Sequence, residues 1–355
     1  MENPPLVFVG IVTYNSARHI KACIESVYAQ KDVEVQISVW DNDSQDETVS
    51  ILQEHYPDVI VYDRKENLGF GEGHNRLMNS RLWDYYLCLN PDVTLDPQFV
   101  INAQSELERD PKNAAINGLT LYEKDAYEDE TVFSLGHLYS QERRIESLGI
   151  GKKGSSIQYT SRKVFGPNGA CPLFARKPLD QIRLKGEYYF EPEFFMYCED
   201  EELGWRLKRN GFHTISLPKA RAYHVGGGSN PMSNPKAVRD SIANRYLSLL
   251  RHDDPILFLK SSPYFLLVES AFLVINSLKR PSFFLAYLKA IAKFLRHSKA
   301  FYDSRAEQTK VGRTQMATWF SPFDSHRLKS LVQRHRVRKN PHSIYTKDAS
   351  KSAAN

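Results

Sequence analysis

The stretch LVFVGIVTYNS, residues 6–16, decides the fold of this 355-residue chain. Leu6 to Thr13 is an unbroken apolar run, which is typical of a buried strand. Polar residues follow at its end, in Thr13-Tyr14-Asn15. Residues 16–29 then predict an amphipathic helix, whose apolar face consists of Ile20, Cys23, Ile24 and Val27. A strand followed directly by a helix is the first unit of an α/β fold.

The same alternation continues to Asp92. Strands are predicted at Val33–Trp40, Val59–Tyr62 and Tyr85–Leu89, and helices at Glu47–His55 and Gly73–Ser80. Ser44 or Asp46 is placed to cap the first of these helices. The order βαβαβαβ predicts a Rossmann-like, mainly parallel sheet with helices on both faces and ligands at the carboxyl ends of its strands. Residues 120–165 predict only strands and loops of undefined order.

Acidic side chains stand where two of these strands end. Asp41 can accept a hydrogen bond from a base imide or a ribose hydroxyl, and Asp92 suits a hard divalent cation that also binds diphosphate oxygens. Each acid has a second interpretation, because Asp and Asn are common in turns and Asn90-Pro91-Asp92 is turn chemistry. Both interpretations remain open on the residues alone.

Two common nucleotide-binding signatures do not fit. Gly69-Phe70-Gly71-Glu72-Gly73 is not a dinucleotide-binding turn, because that turn follows the first strand, which here ends in Thr13-Tyr14-Asn15-Ser16 without glycine. The lysine-bearing phosphate loop G-x-x-x-x-G-K-[ST] is also absent from the sequence. A nicotinamide-dependent dehydrogenase and a nucleoside triphosphatase are therefore disfavoured.

A second group of candidates lies after residue 187. The aromatic stretch Tyr188–Tyr197 precedes Glu199-Asp200-Glu201-Glu202, which predicts the acidic start of a helix. Four acids in a row are usually a solvated first turn, but an aromatic wall can desolvate one carboxylate and raise its pKa toward general-base work. His224 precedes Gly226-Gly227-Gly228-Ser229; a lone histidine is more often structural than a ligand, and the glycines predict a flexible loop.

Composition indicates a globular cytoplasmic protein. The chain is 41% hydrophobic and 25% charged, which excludes a disordered or collagen-like protein. Its four cysteines form no C-x-x-C pair, so neither a zinc site nor a disulfide framework is predicted. Met1–Pro5 lacks the basic flank of a signal peptide, so we expect no export.

Charge divides the chain unevenly. Residues 1–255 hold 29 Lys+Arg against 37 Asp+Glu, whereas residues 256–355 hold 18 against 5. We therefore predict a main domain over 1–255, a basic helical region over 256–345 and a disordered tail over 346–355. Ser262–Leu278 is apolar, but it contains Glu269 and falls short of the roughly 20 residues of a spanning helix, so no transmembrane helix is predicted.

One helix of the basic region is amphipathic. Its apolar stripe consists of Phe284, Leu288, Ile291 and Leu295, and its other faces carry Lys289, Lys293 and Arg296. Three alternatives remain open: the stripe packs on the main domain, lies on an anionic membrane surface, or forms the interface of a homodimer. No nucleic-acid partner is expected.

Together these motifs resemble inverting, nucleotide-sugar-dependent glycosyltransferases of family 2, which have the GT-A fold. The resemblance covers Val7 to Ser229, and within that family it is to bacterial rhamnosyltransferases of cell-surface polysaccharide synthesis. The motifs that carry it are Val12-Thr13-Tyr14-Asn15, Asp41-Asn42-x-Ser44-x-Asp46-x-Thr48, Asn67-x-Gly69-Phe70-Gly71-x-Gly73-x-Asn75, Asn90-Pro91-Asp92, and Tyr197-x-Glu199-Asp200-Glu201-Glu202-Leu203-x-x-Arg206.

The resemblance implies how the nucleotide sugar is bound. The positions matching the nucleotide contacts are Thr13, Asn15 and Asp41, and those lining the donor pocket are Asn67, Gly69 and Asn75. Asp92 stands where the D-x-D motif of the family has its last acid, and His224 matches the histidine that completes a site for Mg²⁺ or Mn²⁺. Asn90 replaces the first acid and removes one negative charge.

The same resemblance implies the chemistry. Asp200 matches the catalytic base, Glu199 is the second candidate for it, and Arg206 is expected at the nucleotide-sugar site, where it orients the acids. The implied donor is dTDP-L-rhamnose, with a UDP-sugar as the alternative. For the acceptor, the basic, aromatic C-terminal region fits a hydroxyl of a lipid-linked glycan at the cytoplasmic face, with the enzyme peripheral on the membrane. A degenerate sugar-nucleotide-binding module is the alternative from a different functional class.

Overall fold

The computed structural model describes residues 5–123, 130–158, 160–226, 232, 234–305 and 311–324. Its N-terminal part alternates strands and helices as the sequence predicts, in the order β1 (Val7–Thr13), α1 (Ile20–Tyr28), β2 (Val35–Asp41), α2 (Thr48–His55), β3 (Ile60–Asp63), α3 (Gly69–Ser80) and β4 (Tyr85–Leu89). These four strands are parallel, in the order β3-β2-β1-β4. Thr13 lies beside Asp41 in this register, so the polar ends of β1 and β2 are neighbours.

The sheet continues through strands whose order the sequence left undefined. The remaining elements are β5 (Val93–Leu95), α4 (Phe99–Glu108), β6 (Asn113–Tyr122), β7 (Val132–Ser134), β8 (His137–Ser140), β9 (Ile145–Ser147), β10 (Arg162–Val164), β11 (Leu173–Ala175), α5 (Arg176–Asp180), α6 (Glu199–Arg209), β12 (His213–His224), α7 (Pro235–His252), α8 (Pro255–Lys279), α9 (Pro281–Asp303), α10 (Arg313–Ala317) and β13 (Phe320–Ser321).

The completed central sheet is mixed. β11 is antiparallel to both of its neighbours, β4 and β6, and β12 is parallel to β6. Six of the ten strands described in this sheet (β1, β2, β3, β4, β6 and β12) run in one direction, so the mainly parallel α/β fold is confirmed. A separate three-stranded sheet has the order β13-β8-β9.

Alternate residues of β1 enter two different cores. Val7, Val9 and Ile11 pack in a cluster with residues of α1, α2 and α4, whereas Phe8 and Val12 pack in a second cluster with residues of α3 and α6. Helices therefore cover both faces of the sheet, as predicted. Burying each of these large apolar side chains contributes roughly 1.5–3 kcal/mol to folding.

The glycine-rich segment is helical over more of its length than the sequence predicts. α3 begins at Gly69, four residues before the predicted start at Gly73. Gly69 has φ +81°, and a Cβ there would lie 1.9 Å from the carbonyl oxygen of Phe195; a Cβ at Gly73 would lie 2.9 Å from Val12. The glycines are therefore needed for close packing at the start of α3, which the flanking sequence does not indicate.

The C-terminal region is helical, as predicted, but the apolar segment is longer. α8 begins at Pro255 rather than near Ser262, and within the described part of the chain it is the one helix long and apolar enough to cross a membrane by length and composition. The predicted tail over 346–355, the rest of the basic region beyond residue 324, and the glycines at 227–228 lie outside the described residues.

α9 packs on the main domain through a face other than the predicted stripe. Its buried residues include Phe283, Ala286 and Ala290, which pack in one cluster with residues of α7. Leu288, in the predicted stripe, is 50% exposed. Two alanines at helical spacing let α9 approach α7 closely, and Phe283 packs beside them. Phe284, Leu288 and Leu295 of the predicted stripe face outward. Lys293, expected on a polar face, instead reaches Asp240 of α7 at 3.0 Å.

Candidate active site

The predicted nucleotide edge is held together by the carboxylate of Asp41. This side chain is fully buried and accepts hydrogen bonds from the hydroxyls of Thr13 (2.8 Å) and Ser44 (2.6 Å). Its other oxygen accepts the backbone N–H of Ser44 at 2.8 Å. Asp46, rather than Ser44, accepts the N–H of Thr48 at the start of α2. Asp41 therefore organises the turn at the edge of the sheet, and Thr13 is its partner in β1.

Asn15 connects the two loops at this edge. Its backbone has φ +50°, a conformation that asparagine tolerates better than most residues. Its side-chain oxygen accepts the N–H of Gln45 at 2.7 Å, and its own N–H donates to the Ser44 hydroxyl at 2.9 Å. The loop after β1 is thus fixed against the loop after β2, which keeps the edge of the site rigid.

The residues predicted to line the donor pocket also shape the backbone. Asn67 accepts the N–H of Gly69 at 3.0 Å through its side-chain oxygen. Asn75 is buried, and its side-chain oxygen accepts the N–H groups of Tyr189 (3.0 Å) and Phe190 (2.8 Å). Asn75 therefore ties α3 to the aromatic segment that leads to the acidic helix, over 110 residues away in sequence.

Asp92 and His224 lie together at the end of the sheet. β5 starts directly after Asp92 and is antiparallel to β12, and Val93 is paired with His224. The Nε2 atom of His224 lies 3.1 Å from Oδ1 of Asp92. Burial pushes the pKa of Asp92 upward, but the hydrogen bond and charge of His224 outweigh it and lower that pKa below its usual value. Two residues 132 positions apart thus form one polar pair.

This pair offers a carboxylate oxygen and an imidazole nitrogen to a metal ion. Searching the described residues finds no group of three or more His, Cys, Asp or Glu side chains that could hold a metal. His224 is buried, and its Nδ1 atom has no hydrogen-bond partner in the part of the chain that the structure describes. The donor set fits a divalent ion such as Mn²⁺ only if oxygen atoms of water and of a bound diphosphate complete its coordination.

The four consecutive acids at the start of α6 have four different environments. Glu199, Glu201 and Glu202 are buried, whereas the Asp200 side chain is 22% exposed. Of the two interpretations of this stretch, a solvated first turn does not apply, because three of the four acids are buried. The preceding residues Tyr197 and Cys198 both have positive φ, at 73° and 69°, a strained conformation that sets the direction in which α6 starts.

Asp200 is fixed by backbone donors. Its Oδ2 atom accepts the N–H of Gly169 at 2.9 Å, and its Oδ1 atom accepts the N–H of Glu201 at 2.8 Å. The one acid of the four that is partly exposed is therefore also held in a defined orientation. This combination suits a group that must accept a proton from a bound hydroxyl.

Glu199, the second candidate for the base, is in a different state. Burial, followed by the charge of Asp200, raises the pKa of Glu199 to about 8. Its Oε2 atom is buried without a hydrogen-bond partner among the described residues. At neutral pH this side chain is mainly protonated, so only a minor fraction of the molecules have Glu199 as a proton-accepting carboxylate.

Arg206 does not lie where the nucleotide sugar was expected. Its guanidinium is fully buried and bonds Glu202 at 2.7 Å and the carbonyl oxygen of Ile182 at 2.9 Å. Glu202 also contacts Arg251 at 3.1 Å and His252 at 2.9 Å, both from α7. Arg206 therefore clamps an internal ion network under α6 and orients Glu202 rather than Asp200.

Sequence reasoning missed the residues that face Asp200 from the other side. The Nε2 atom of His137 lies 4.0 Å from Oδ2 of Asp200 and 3.3 Å from the side-chain nitrogen of Asn168. Burial lowers the pKa of His137, although Asp200 acts in the opposite direction. The turn dipeptide Asn168-Gly169 was the one signal in the sequence that pointed to this segment.

The fold is shared with solved glycosyltransferases. GalNAc-T7 with UDP, GalNAc and Mn²⁺ has a TM-score of 0.56 at 14% identity, covering 86% of this chain and 57% of that chain. Staphylococcus aureus TarS 1–349 in complex with UDP-GlcNAc has a TM-score of 0.52 at 16% identity, covering 85% of this chain and 92% of that chain. This chain therefore has the GT-A glycosyltransferase fold followed by a helical region.

Sequence comparisons also find glycosyltransferases. Residues 8–182 match the description "Glycosyl transferase family 2". N-acetylglucosaminyl-diphospho-decaprenol L-rhamnosyltransferase of Mycobacterium tuberculosis is 24% identical over 245 residues, which is 61% of this chain and 75% of that protein. Poly-beta-1,6-N-acetyl-D-glucosamine synthase of S. aureus is 26% identical over 218 residues, covering 60% and 48%. The protein is a glycosyltransferase, and its residues 8–182 match family 2.

Proposed function

We propose that this glycosyltransferase inverts configuration as it transfers L-rhamnose from dTDP-L-rhamnose to a hydroxyl of a lipid-linked glycan. The observation that carries the chemistry is the environment of Asp200, the one of the four acids at the start of α6 that is partly exposed, with a carboxylate held by backbone N–H groups. The M. tuberculosis relative, whose name specifies L-rhamnosyl transfer to a polyprenyl-diphosphate-linked sugar, supports the choice of donor and acceptor.

One short loop joins the two halves of the site. Gly169 donates to Asp200, and the carbonyl oxygen of the next residue, Ala170, accepts the N–H of Asn90 at 2.8 Å. Asn90 precedes Asp92 by two residues, so the base and the predicted diphosphate side are held by one continuous hydrogen-bonded segment. This arrangement would fix the acceptor oxygen and the leaving group relative to each other.

The reaction is a single displacement. Asp200 takes the proton from the acceptor hydroxyl as its oxygen attacks the anomeric carbon, and the nucleoside diphosphate leaves from the opposite face of the sugar. A divalent cation held by Asp92 and His224 would neutralise the charge that develops on the leaving diphosphate. Asp41, Asn15 and Thr13 keep the nucleotide edge rigid. A positioned base of this kind contributes about 10²- to 10⁴-fold to the rate.

The test is transfer by the full chain to a polyprenyl-diphosphate-linked N-acetylglucosamine, with dTDP-L-rhamnose or UDP-sugars as donors. We expect the product to be heavier than the acceptor by one deoxyhexose, and one dTDP to be released for each glycosidic bond formed. The new bond should have the anomeric configuration opposite to that of the donor. Asp200→Asn is the matched control. Transfer from a UDP-sugar instead would show that the donor is not dTDP-L-rhamnose, and the protein would remain a glycosyltransferase. Nucleotide binding without transfer from any donor would favour the degenerate module.

A further inference from the structure

The two helices after the main domain expose an unusual amount of apolar surface. Twelve of the seventeen large apolar side chains that are exposed in the described residues lie on α8 and α9. On α8 they are Ile256, Leu259, Tyr264, Leu266, Leu267, Val274 and Leu278, and on α9 they are Phe284, Leu285, Leu288, Leu295 and Tyr302. Isolated exposed apolar residues are normal, but a concentration of them on two consecutive helices points to a binding surface.

Charge around this surface is almost all positive. The exposed basic residues of the two helices are Lys260, Lys279, Arg280, Lys289, Arg296 and Lys299. Their two acids do not balance them, because Glu269 is buried and Asp303 forms an ion pair with Lys299 at 2.6 Å. Lys289 and Arg296 are two helical turns apart, on the row next to the apolar stripe. An apolar strip flanked by cations is complementary to an anionic lipid surface.

Glu269 keeps α8 attached to the main domain. Near the middle of the helix, its carboxylate accepts hydrogen bonds from Arg144 (2.6 Å), Arg245 (2.8 Å) and the hydroxyl of Tyr246 (2.7 Å). Burial alone would raise its pKa, but Arg245 and Arg144 outweigh it and lower the pKa of Glu269 to about 2. Crossing a bilayer would require this charged cluster to break, so α8 lies along the domain although its length would allow it to span.

α9 also contacts the segment that leads to Asp200. Lys293 donates to the side-chain oxygen of Asn244 at 2.9 Å, and Asn244 donates to the carbonyl oxygen of Tyr197 at 2.9 Å, three residues before Asp200. The ring of Phe301 stacks on that of Phe194 with 5.8 Å between centroids. The exposed surface and the base are thus connected through a short, packed path.

We infer that the surface formed by α8 and α9 docks the enzyme on an anionic bilayer, with both helices lying in the headgroup plane. This docking rests on the proposed function, since a lipid-linked acceptor would be reached from the surface of a bilayer. A second copy of the chain fits less well. Two such surfaces placed face to face would bring their cationic rims together without acids to balance them.

Flotation of the full chain with vesicles tests the docking. The vesicles are phosphatidylcholine alone, or phosphatidylcholine with about one fifth phosphatidylglycerol. We expect binding to the anionic vesicles that decreases at high salt and is released by alkaline carbonate. Leu285→Glu with Leu288→Glu should weaken it by at least about tenfold, because both side chains would otherwise enter the bilayer. Leu82→Glu, at an exposed leucine of the main domain, is the matched control.

Other outcomes overturn the docking. Equal vesicle binding by the double variant and wild type would contradict docking through the surface formed by α8 and α9. Protein that stays on the vesicles after carbonate treatment would contradict it too. A stable dimer in solution that the double variant converts to monomer would assign the surface to a second copy. Transfer to a water-soluble acceptor analogue is measured in parallel. If the double variant loses vesicle binding but still transfers sugar to this analogue, the result concerns the docking alone. If the wild type transfers no sugar, the proposed function is wrong.

Discussion

The Oδ2 atom of Asp200 accepts a hydrogen bond from the backbone N–H of Gly169 at 2.9 Å. Gly169 lies in the loop between β10 and β11, so a loop remote in sequence orients the acid at the start of α6. A Cβ at Gly169 would lie 3.5 Å from this same oxygen, which is ordinary van der Waals contact. The glycine is therefore not required for space, and the donated hydrogen bond is its contribution to the site.

Asp200→Asn should abolish turnover and leave donor binding intact. The amide has the shape of the carboxylate but cannot accept the proton of the acceptor, so we expect kcat to fall by about 10²-fold or more. Calorimetry should give a dTDP affinity within about threefold of wild type. Gly169→Ala keeps the N–H donor and should retain most of the activity. A near-normal rate for Asp200→Asn would remove Asp200 from the role of base.

Glu199→Gln separates the two candidates for the base. Because the pKa of Glu199 is raised to about 8, its side chain is already mainly neutral at pH 7, and glutamine replaces that neutral form closely. We expect kcat to stay within about threefold of wild type at this pH. A loss as large as that of Asp200→Asn would show that Glu199 takes part in proton transfer.

The same variant has a second consequence, for stability against pH. The folded protein keeps a proton on Glu199 up to about pH 8, whereas the unfolded chain releases it near 4.5, the ordinary pKa of a glutamate. The folded state then binds more protons, so this group lowers stability as pH rises between these two values. Glu199→Gln should equal wild type near pH 5 and exceed it by at least about 1 kcal/mol near pH 8. Urea unfolding at pH 5 and pH 8 provides the measurement. If the free energy of unfolding changes equally with pH in the variant and in wild type, Glu199 is not buried in its protonated form.

Asp92→Asn should remove the metal dependence of nucleotide binding. The change keeps the volume of the side chain and removes the anionic ligand beside His224, so dTDP affinity in Mn²⁺ should fall by at least about tenfold toward the value in chelator. Asp96→Asn is the control, because Asp96 accepts the N–H of Gln98 near the start of α4 and asparagine can do the same. Unchanged, Mn²⁺-dependent affinity in Asp92→Asn would place the metal elsewhere.

The N-terminal elements could be predicted because their signals are local. The four apolar residues predicted on α1, Ile20, Cys23, Ile24 and Val27, are those that the structure buries. Their spacing alone determines which side faces the sheet. Asp92 and His224 are different, because 132 residues separate them and only the pairing of β5 with β12 brings them together. The family resemblance predicts that Asp92 and His224 lie together, whereas their spacing in the sequence does not.

The errors have a common physical cause. The stripe through Phe284 and Leu288 is the more hydrophobic face of α9, yet the helix packs through Ala286 and Ala290, because close approach of two helices depends on small side chains. Similarly, the burial of Glu202 depends on cations of α7 about fifty residues later in the chain. Partners supplied by distant elements leave no periodic signal in the local sequence.

The ion network under α6 should make the stability of the protein sensitive to acid through Glu202. This carboxylate is fully buried among Arg206, Arg251 and His252; although burial alone would raise its pKa, Arg206 and the other cations hold it far below the usual range. Stability from this lowered pKa is present above the unfolded value of 4.5 and is lost as pH falls below it. Burial also lowers the pKa of His252 to about 4, so the unfolded chain takes up a proton there first, from about 6.5 downward.

Glu202→Gln leaves the cations without their shared anion and should cost about 3–5 kcal/mol in the free energy of unfolding at pH 7. The variant should also lose less stability than wild type as the pH falls below 4.5, because the carboxylate that takes up the proton is gone. Glu187→Gln, at an exposed carboxylate of the loop before the aromatic segment, is the control and should change stability by less than about 0.5 kcal/mol. Equal unfolding free energies for Glu202→Gln and wild type would mean that α6 is held by its apolar face alone, through Leu203 and Leu207.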